Sequence, residues 1–157
     1  MLHISTRGEY GVRVMIDLAR HFEGGLRSLT EISEDEGLPV QYLEQLIKRL
    51  RDKDLVASVR GAHGGYQLTR TPDAIRMSEV LQALEGSLET YTCPSDKDTQ
   101  GQTCDWGHRI DDCTTRMLWA RLRTAIFQTL DGITLAELSA VPAHPALRGL
   151  LAGGASA

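Results

Sequence analysis

Leu55-Val56-Ala57-Ser58-Val59-Arg60-Gly61-Ala62-His63-Gly64-Gly65-Tyr66-Gln67-Leu68-Thr69 is the stretch on which the fold turns. Its ends, 55–59 and 66–69, have the apolar and β-branched content of two short strands. Between them lies a glycine-rich turn with cationic side chains at its start and middle. A lone hairpin of this size is marginal in water and needs a scaffold. The preceding residues supply one. Ser28-Leu29-Thr30-Glu31 is a capping box, in which the Ser28 hydroxyl accepts from helix N–H groups and the Glu31 carboxylate accepts from the cap in return. The helix it opens is short, because Gly37, Leu38 and Pro39 interrupt it after Glu36. A second helix follows, with Tyr42, Leu43, Leu46, Ile47 and Leu50 on one face. Gln41, Glu44, Gln45, Lys48 and Arg49 fall on the opposite face. Two short helices, a glycine-containing turn and then a hairpin predict a winged helix-turn-helix.

Upstream, Val14, Met15, Leu18 and Phe22 recur at helical spacing and predict a helix from Ser5 to Phe22, ended by Gly24-Gly25. Downstream, Val80, Leu81 and Leu84 predict another over Met77 to Leu88. Residues 1–90 therefore read as a DNA-binding domain. Residues 91–113 change character: Pro94 to Gln102 is polar and turn-rich, with no periodic apolar face, and cysteines bracket it. Loops of this length without structure of their own are commonly functional. From Thr114 a long helix resumes, with Leu118, Leu122, Ile126 and Leu130 four apart and Met117, Trp119, Ala125 and Phe127 widening the stripe. So much apolar surface suits burial against a second subunit. Thr134-Leu135-Ala136-Glu137 opens a last short helix. Residues 114–141 thus form a dimerisation segment, and 142–157 read as a flexible tail. The expected class is mainly α with a small β-wing, plus a long C-terminal dimerisation helix.

Composition narrows the function. The 157 residues, 41% hydrophobic and 24% charged, suit one sizeable core and exclude collagen, low-complexity disorder and disulfide-dense miniproteins. No apolar run approaches the roughly 18–20 residues of a membrane span. Met1-Leu2-His3-Ile4 opens neither a signal nor a transit peptide, so a cytoplasmic protein is expected. There is no GxSxG, Walker loop or HExxH, and the histidines are scattered, so no enzyme is expected. The net charge of -4 argues against a polyanion-coating protein. Locally the balance reverses: residues 41–70 carry Lys48, Arg49, Arg51, Lys53, Arg60 and Arg70 against Glu44, Asp52 and Asp54. The three cysteines, Cys93, Cys104 and Cys113, fall within 21 consecutive residues. In a reducing compartment such clustering reads as metal ligands or redox thiols.

Tyr42-Leu43-Glu44-Gln45-Leu46, Leu50-Arg51, Leu55-Val56, Ser58-Val59-Arg60-Gly61 and Gly64-Gly65-Tyr66 together resemble the Rrf-type winged-helix regulators. That group includes the IscR, NsrR and RirA types, and the likeness is nearest to the iron–sulfur regulators among them. The Ser5–Asp17 segment, the cysteine loop and the Trp119 helix fit as well, over residues 1–140. The resemblance implies a dimeric transcription factor, more often a repressor, acting on a pseudo-palindromic operator in double-stranded DNA and sensing iron–sulfur status, redox or nitric oxide. In a recognition helix, the N-terminal half offers base-reading side chains, here Val40, Gln41, Glu44 and Gln45. Lys48, Arg49 and Arg51 suit phosphates, which add affinity but little sequence information. By similarity, Arg60 enters the minor groove, with Gly61, Gly64 and Gly65 permitting close backbone approach. The charge pattern alone would equally fit a solvated helix face.

The resemblance also implies an iron–sulfur cluster, [2Fe-2S] or [4Fe-4S], one per subunit, held by Cys93, Cys104 and Cys113. In the family a histidine three residues after the last cysteine often completes the set, but here that position is Arg116, which does not ligate. Glu9 matches the position from which some members supply a carboxylate across the dimer, and His108 is the local alternative. Glu9 also fits an ordinary surface acid near a helix N-terminus. A zinc site or thiol switch on the same cysteines stays open, as, in a different class, does an electron-transfer iron–sulfur protein.

Overall fold

A computed structural model of the chain describes residues 5–61, 63–86 and 114–140. The first helix, α1, runs Thr6–Arg20; Ser5 caps it, its side chain accepting from the Gly8 N–H at 3.3 Å. It stops at His21, so Phe22 lies in the following turn and is 37% exposed rather than extending the apolar stripe. Helix α2, Leu29–Glu36, begins with the capping box, Ser28 Oγ accepting from the Glu31 N–H at 3.2 Å and the Glu31 carboxylate accepting from the Ser28 N–H at 2.7 Å. Gly37 ends it in the left-handed conformation, φ 66°, which a side chain rarely adopts. The Ser33 hydroxyl donates to the Leu38 carbonyl across the turn at 2.6 Å. Pro39 then caps α3, Val40–Arg51, its carbonyl accepting from Tyr42 and Leu43.

Strands β1, Val56–Val59, and β2, Gly65–Leu68, pair antiparallel with Val56 opposite Leu68 and Val59 opposite Gly65. β1 starts one residue later than its sequence boundary, and β2 lies one residue earlier than its own. Leu55 closes a turn onto α3, its N–H donating to the Leu50 carbonyl, before the ladder starts. A 3-10 turn, Pro72–Ala74, leads into α4, Met77–Glu85. The long helix is α5, Thr114–Asp131, and the last is α6, Leu135–Ala140.

One core joins these elements. Val14, Met15 and Leu18 of α1 meet Leu43, Leu46, Ile47 and Leu50 of α3, Val80 and Leu84 of α4, and Val56 and Leu68 from the hairpin. Full burial of such side chains contributes roughly 1.5–3 kcal/mol each. Gly11 lets α1 and α4 approach closely: a Cβ there would fall 2.3 Å from Leu84 Cδ1. Helix α6, grouped with α5 on sequence grounds, packs on α1, and its Leu135 is fully buried in the same core. Its entry is stitched to the start of α4 by Met77 N–H to Ile133 O at 3.0 Å and Leu135 N–H to Ile75 O at 2.9 Å. The Ser78 hydroxyl adds a 2.7 Å bond to Asp131.

Candidate nucleic-acid interface and the helix behind it

Helix α3 divides cleanly. Leu43, Leu46, Ile47 and Leu50 are buried, while Val40, Gln41, Glu44 and Gln45 are exposed, as are Lys48, Arg49 and Arg51. The face nominated from sequence is thus one continuous exposed surface. Val40, 39% exposed, lies at the helix start beside Gln41. The hairpin projects from the far end of α3, its turn carrying exposed Arg60 and Gly61 and half-buried Gly64. Gly61 has φ 135°, and a Cβ on Gly64 would sit 2.3 Å from the Val59 carbonyl oxygen, so the turn needs glycine at both positions. Among the described residues, no ion pair engages Lys48, Arg49, Arg51 or Arg60. These cations are available to a polyanion, whereas Arg7, Arg13, Arg27 and Arg70 are committed to carboxylates within the protein.

Glu9 lies in the first turn of α1 and is exposed. Arg13, one turn on, donates to its Oε1 at 2.7 Å and lays its guanidinium 5.7 Å from the Tyr10 ring centroid. Tyr10 in turn meets Tyr42 edge-on, with centroids 5.9 Å apart and planes at 89°. Glu9 is thus linked through Arg13 and Tyr10 to Tyr42, in the first turn of α3. Cys93, Cys104, Cys113 and His108 lie outside the described residues.

Two further clusters were not expected. At the start of α1, Glu85 accepts from the Ser5 hydroxyl at 2.5 Å and from Arg7 at 3.4 Å. Burial alone would raise its pKa, but these hydrogen bonds and the Arg7 charge hold it below the ordinary value. The second cluster surrounds Arg27. Its Nε and Nη2 each donate to Asp17 at 3.2 Å, and Nη2 also donates to Asp35. His21 Nδ1 lies 3.5 Å from Asp17 Oδ1. Carboxylate and imidazole atoms of Asp17, His21 and Asp35 come within 4.8 Å of one another, the spacing of a metal site. The Arg27 guanidinium already joins the two carboxylates, so the group is an ion-pair node. One sign was legible in the sequence: Asp17, 4% exposed, interrupts the apolar face between Val14 and Leu18. A charge in such a position calls for a partner.

A buried scaffold helix, a two-helix reading head with an unpaired cationic face and a glycine-tipped hairpin define a winged-helix DNA-binding regulator of transcription. Residues 4–140 match the family model Rrf2, described as iron-dependent transcriptional regulator, and the chain belongs to that family. It is 41% identical over 137 residues to the HTH-type transcriptional regulator IscR of Sodalis glossinidius, covering 87% of this chain and 78% of that one. Among solved structures, IscR of T. potens superposes with a TM-score of 0.69 at 39% identity, over 94% of this chain and 96% of the other. CymR, the global cysteine regulator of B. subtilis, does so with a TM-score of 0.70 at 36% identity, over 91% and 100%. The chain regulates transcription and is not an enzyme, in keeping with these relatives. Among the described residues, no helix is long and apolar enough to cross a membrane.

Proposed function

We propose that the chain acts as a cytoplasmic homodimer on a pseudo-palindromic operator and that an iron–sulfur cluster adjusts its grip. Base reading falls to Val40, Gln41, Glu44 and Gln45, with Glu44 able to accept from a cytosine amino group. Lys48, Arg49 and Arg51 take phosphates, and Arg60 takes the minor groove beside the turn glycines Gly61 and Gly64. Dimerisation runs through α5, where Met117 and Leu118 are 57% and 58% exposed, a large apolar pair to leave in water.

The cluster ligands are Cys93, Cys104 and Cys113 with Glu9 of the partner subunit. The donor set fits the group: thiolates are its usual ligands, and the exposed Glu9 carboxylate has one oxygen on Arg13 and the other without a partner among the described residues. When bound, the cluster supplies an iron site that answers to oxygen, nitric oxide or iron supply. The chain's own residues do the rest. Arg13 shares the Glu9 carboxylate and rests on Tyr10, and Tyr10 meets Tyr42 at the head of the recognition helix. This run of contacts is the single observation that carries the proposal, because whatever engages Glu9 also acts on the setting of α3.

The test is anaerobic purification with iron and sulfide assays and visible spectra, followed by operator titration of loaded and stripped protein. A coloured protein whose operator affinity changes on stripping is expected, and Glu9→Ala should alter both spectrum and affinity. A colourless protein with stoichiometric zinc overturns the cluster reading, and a Glu9→Ala variant matching the parent in both measurements overturns the Glu9 ligation and its coupling to α3.

A further inference from the structure

The wing is held at two places. Its base is fixed by Val56 and Leu68, which pair with each other and are buried in the core. Its tip end is held from outside the hairpin. Tyr66, opposite Ser58 and one residue from the Val59–Gly65 pair that closes the ladder, exchanges both backbone hydrogen bonds with Arg27. The Arg27 N–H donates to Tyr66 O at 2.9 Å, and the Tyr66 N–H donates to Arg27 O at 2.8 Å. The approach is close enough that a Cβ on Gly65 would fall 2.7 Å from Arg27 O. Arg27 belongs to neither helix; it sits in the link between α1 and α2. Its side chain, 12% exposed, fixes that link by a two-pronged bond to buried Asp17 on α1 and a bond to Asp35 on α2. One residue therefore ties the scaffold helix, the first helix of the reading head and the tip end of the wing.

We infer that Arg27 is a positioning residue for the wing: by clamping Asp17 and Asp35 it fixes the backbone that holds Tyr66, and so sets where Arg60 stands relative to the recognition helix. Arg27 makes no DNA contact in this role. The inference rests on the assignment of Arg60 to the minor groove.

The test is a double-mutant cycle, because a residue that acts only through Arg60 loses its effect once Arg60 is gone. The probe is a duplex selected by the full-length parent from a random-sequence pool. The paired variant Asp17→Asn with Arg27→Gln removes both charges together, so no buried charge is stranded. It and Arg60→Ala should each weaken binding by about tenfold, roughly 1.4 kcal/mol. Combined, they should bind no more weakly than Arg60→Ala alone. Hydrogen exchange should quicken at the Tyr66 amide and stay slow at the Leu55 and Thr69 amides, which donate to Leu50 O and Leu55 O at the base of the hairpin. Arg27→Lys keeps a cation beside Asp17 but lacks the fork, and should give a smaller loss with the same non-additivity. It also serves as the test should the paired variant not fold. Additive losses, or unchanged affinity in the Arg27 variants, overturn the positioning role alone. A silent Arg60→Ala overturns both this inference and the minor-groove assignment.

Discussion

Gly64→Ala puts the wing to a sharp test. The new methyl would lie 2.3 Å from the Val59 carbonyl oxygen and 3.0 Å from the nitrogen and oxygen of Gly61. All three are backbone atoms, so no side chain can swing aside. The turn must open by roughly 1 Å before the approach becomes an ordinary one. That displacement falls on residues 60–64, whereas Leu55, Val56 and Leu68 remain in the core. Affinity and stability should therefore part company. Misplacing an arginine that reads DNA costs on the order of 1–3 kcal/mol, so operator binding should weaken by about 5- to 150-fold, each tenfold being about 1.4 kcal/mol. Withdrawing a cation from the minor groove lets counterions return to the duplex, so the dependence of log affinity on log salt should flatten as well. Melting should fall by no more than the roughly 2–4 °C that about 1 kcal/mol produces in a protein of this size. The assay is titration of a selected duplex at several salt concentrations, with a circular-dichroism melt of the same sample. A folded variant with the parent's affinity and salt slope would refute the wing's role.

Three other perturbations probe different parts of the molecule. Leu118→Glu puts a charge in the exposed stripe of α5 and should shift the protein from dimer to monomer in sedimentation, with loss of operator binding; a variant that stays dimeric rejects that face. Leu135→Ala should destabilise by about 2–5 kcal/mol, as truncation of a fully buried leucine does, and denaturant unfolding reads it directly; a loss under about 1 kcal/mol would argue against α6 as part of the core. Burial, and after it the neighbouring Asp17 carboxylate, raise the Glu36 pKa in the folded protein. The folded state therefore holds that proton more tightly than the unfolded chain, and its stability falls as pH rises through the carboxylate range. Glu36→Gln should raise the melting temperature near neutrality, and the advantage should vanish as the pH drops through that range; an equal gain at every pH would refute the electrostatic cause.

Local signals carried most of the fold. The Ser28–Glu31 capping box, the left-handed Gly37 and the buried stripe of α3 are interactions among neighbours in sequence, where spacing alone reports them. Glu9 and Arg13 likewise lie one helical turn apart and pair accordingly. The contacts that organise the site are of another kind. Tyr10 reaches Tyr42, Arg27 bonds the backbone of Tyr66, and Ser5 bonds Glu85, all across elements distant in the chain. No periodicity encodes such pairs. Phe22 misled for a related reason: its spacing continued the stripe, but α1 had already ended at His21. Helix α6 was too short for its pattern to say which surface it covers, and its place was settled by Leu135 entering the core.

That return of α6 has a consequence for how such a molecule can diversify. The chain leaves the reading head at the end of α4 and is fastened back to it beside the start of α4, through Ile133, Leu135 and Asp131. Between those two moorings run residues 87–130, with the three cysteines and most of α5 among them. A sequence change between the moorings therefore leaves both anchor points of the reading body in place, Met77 held to Ile133 and Leu135 held to Ile75.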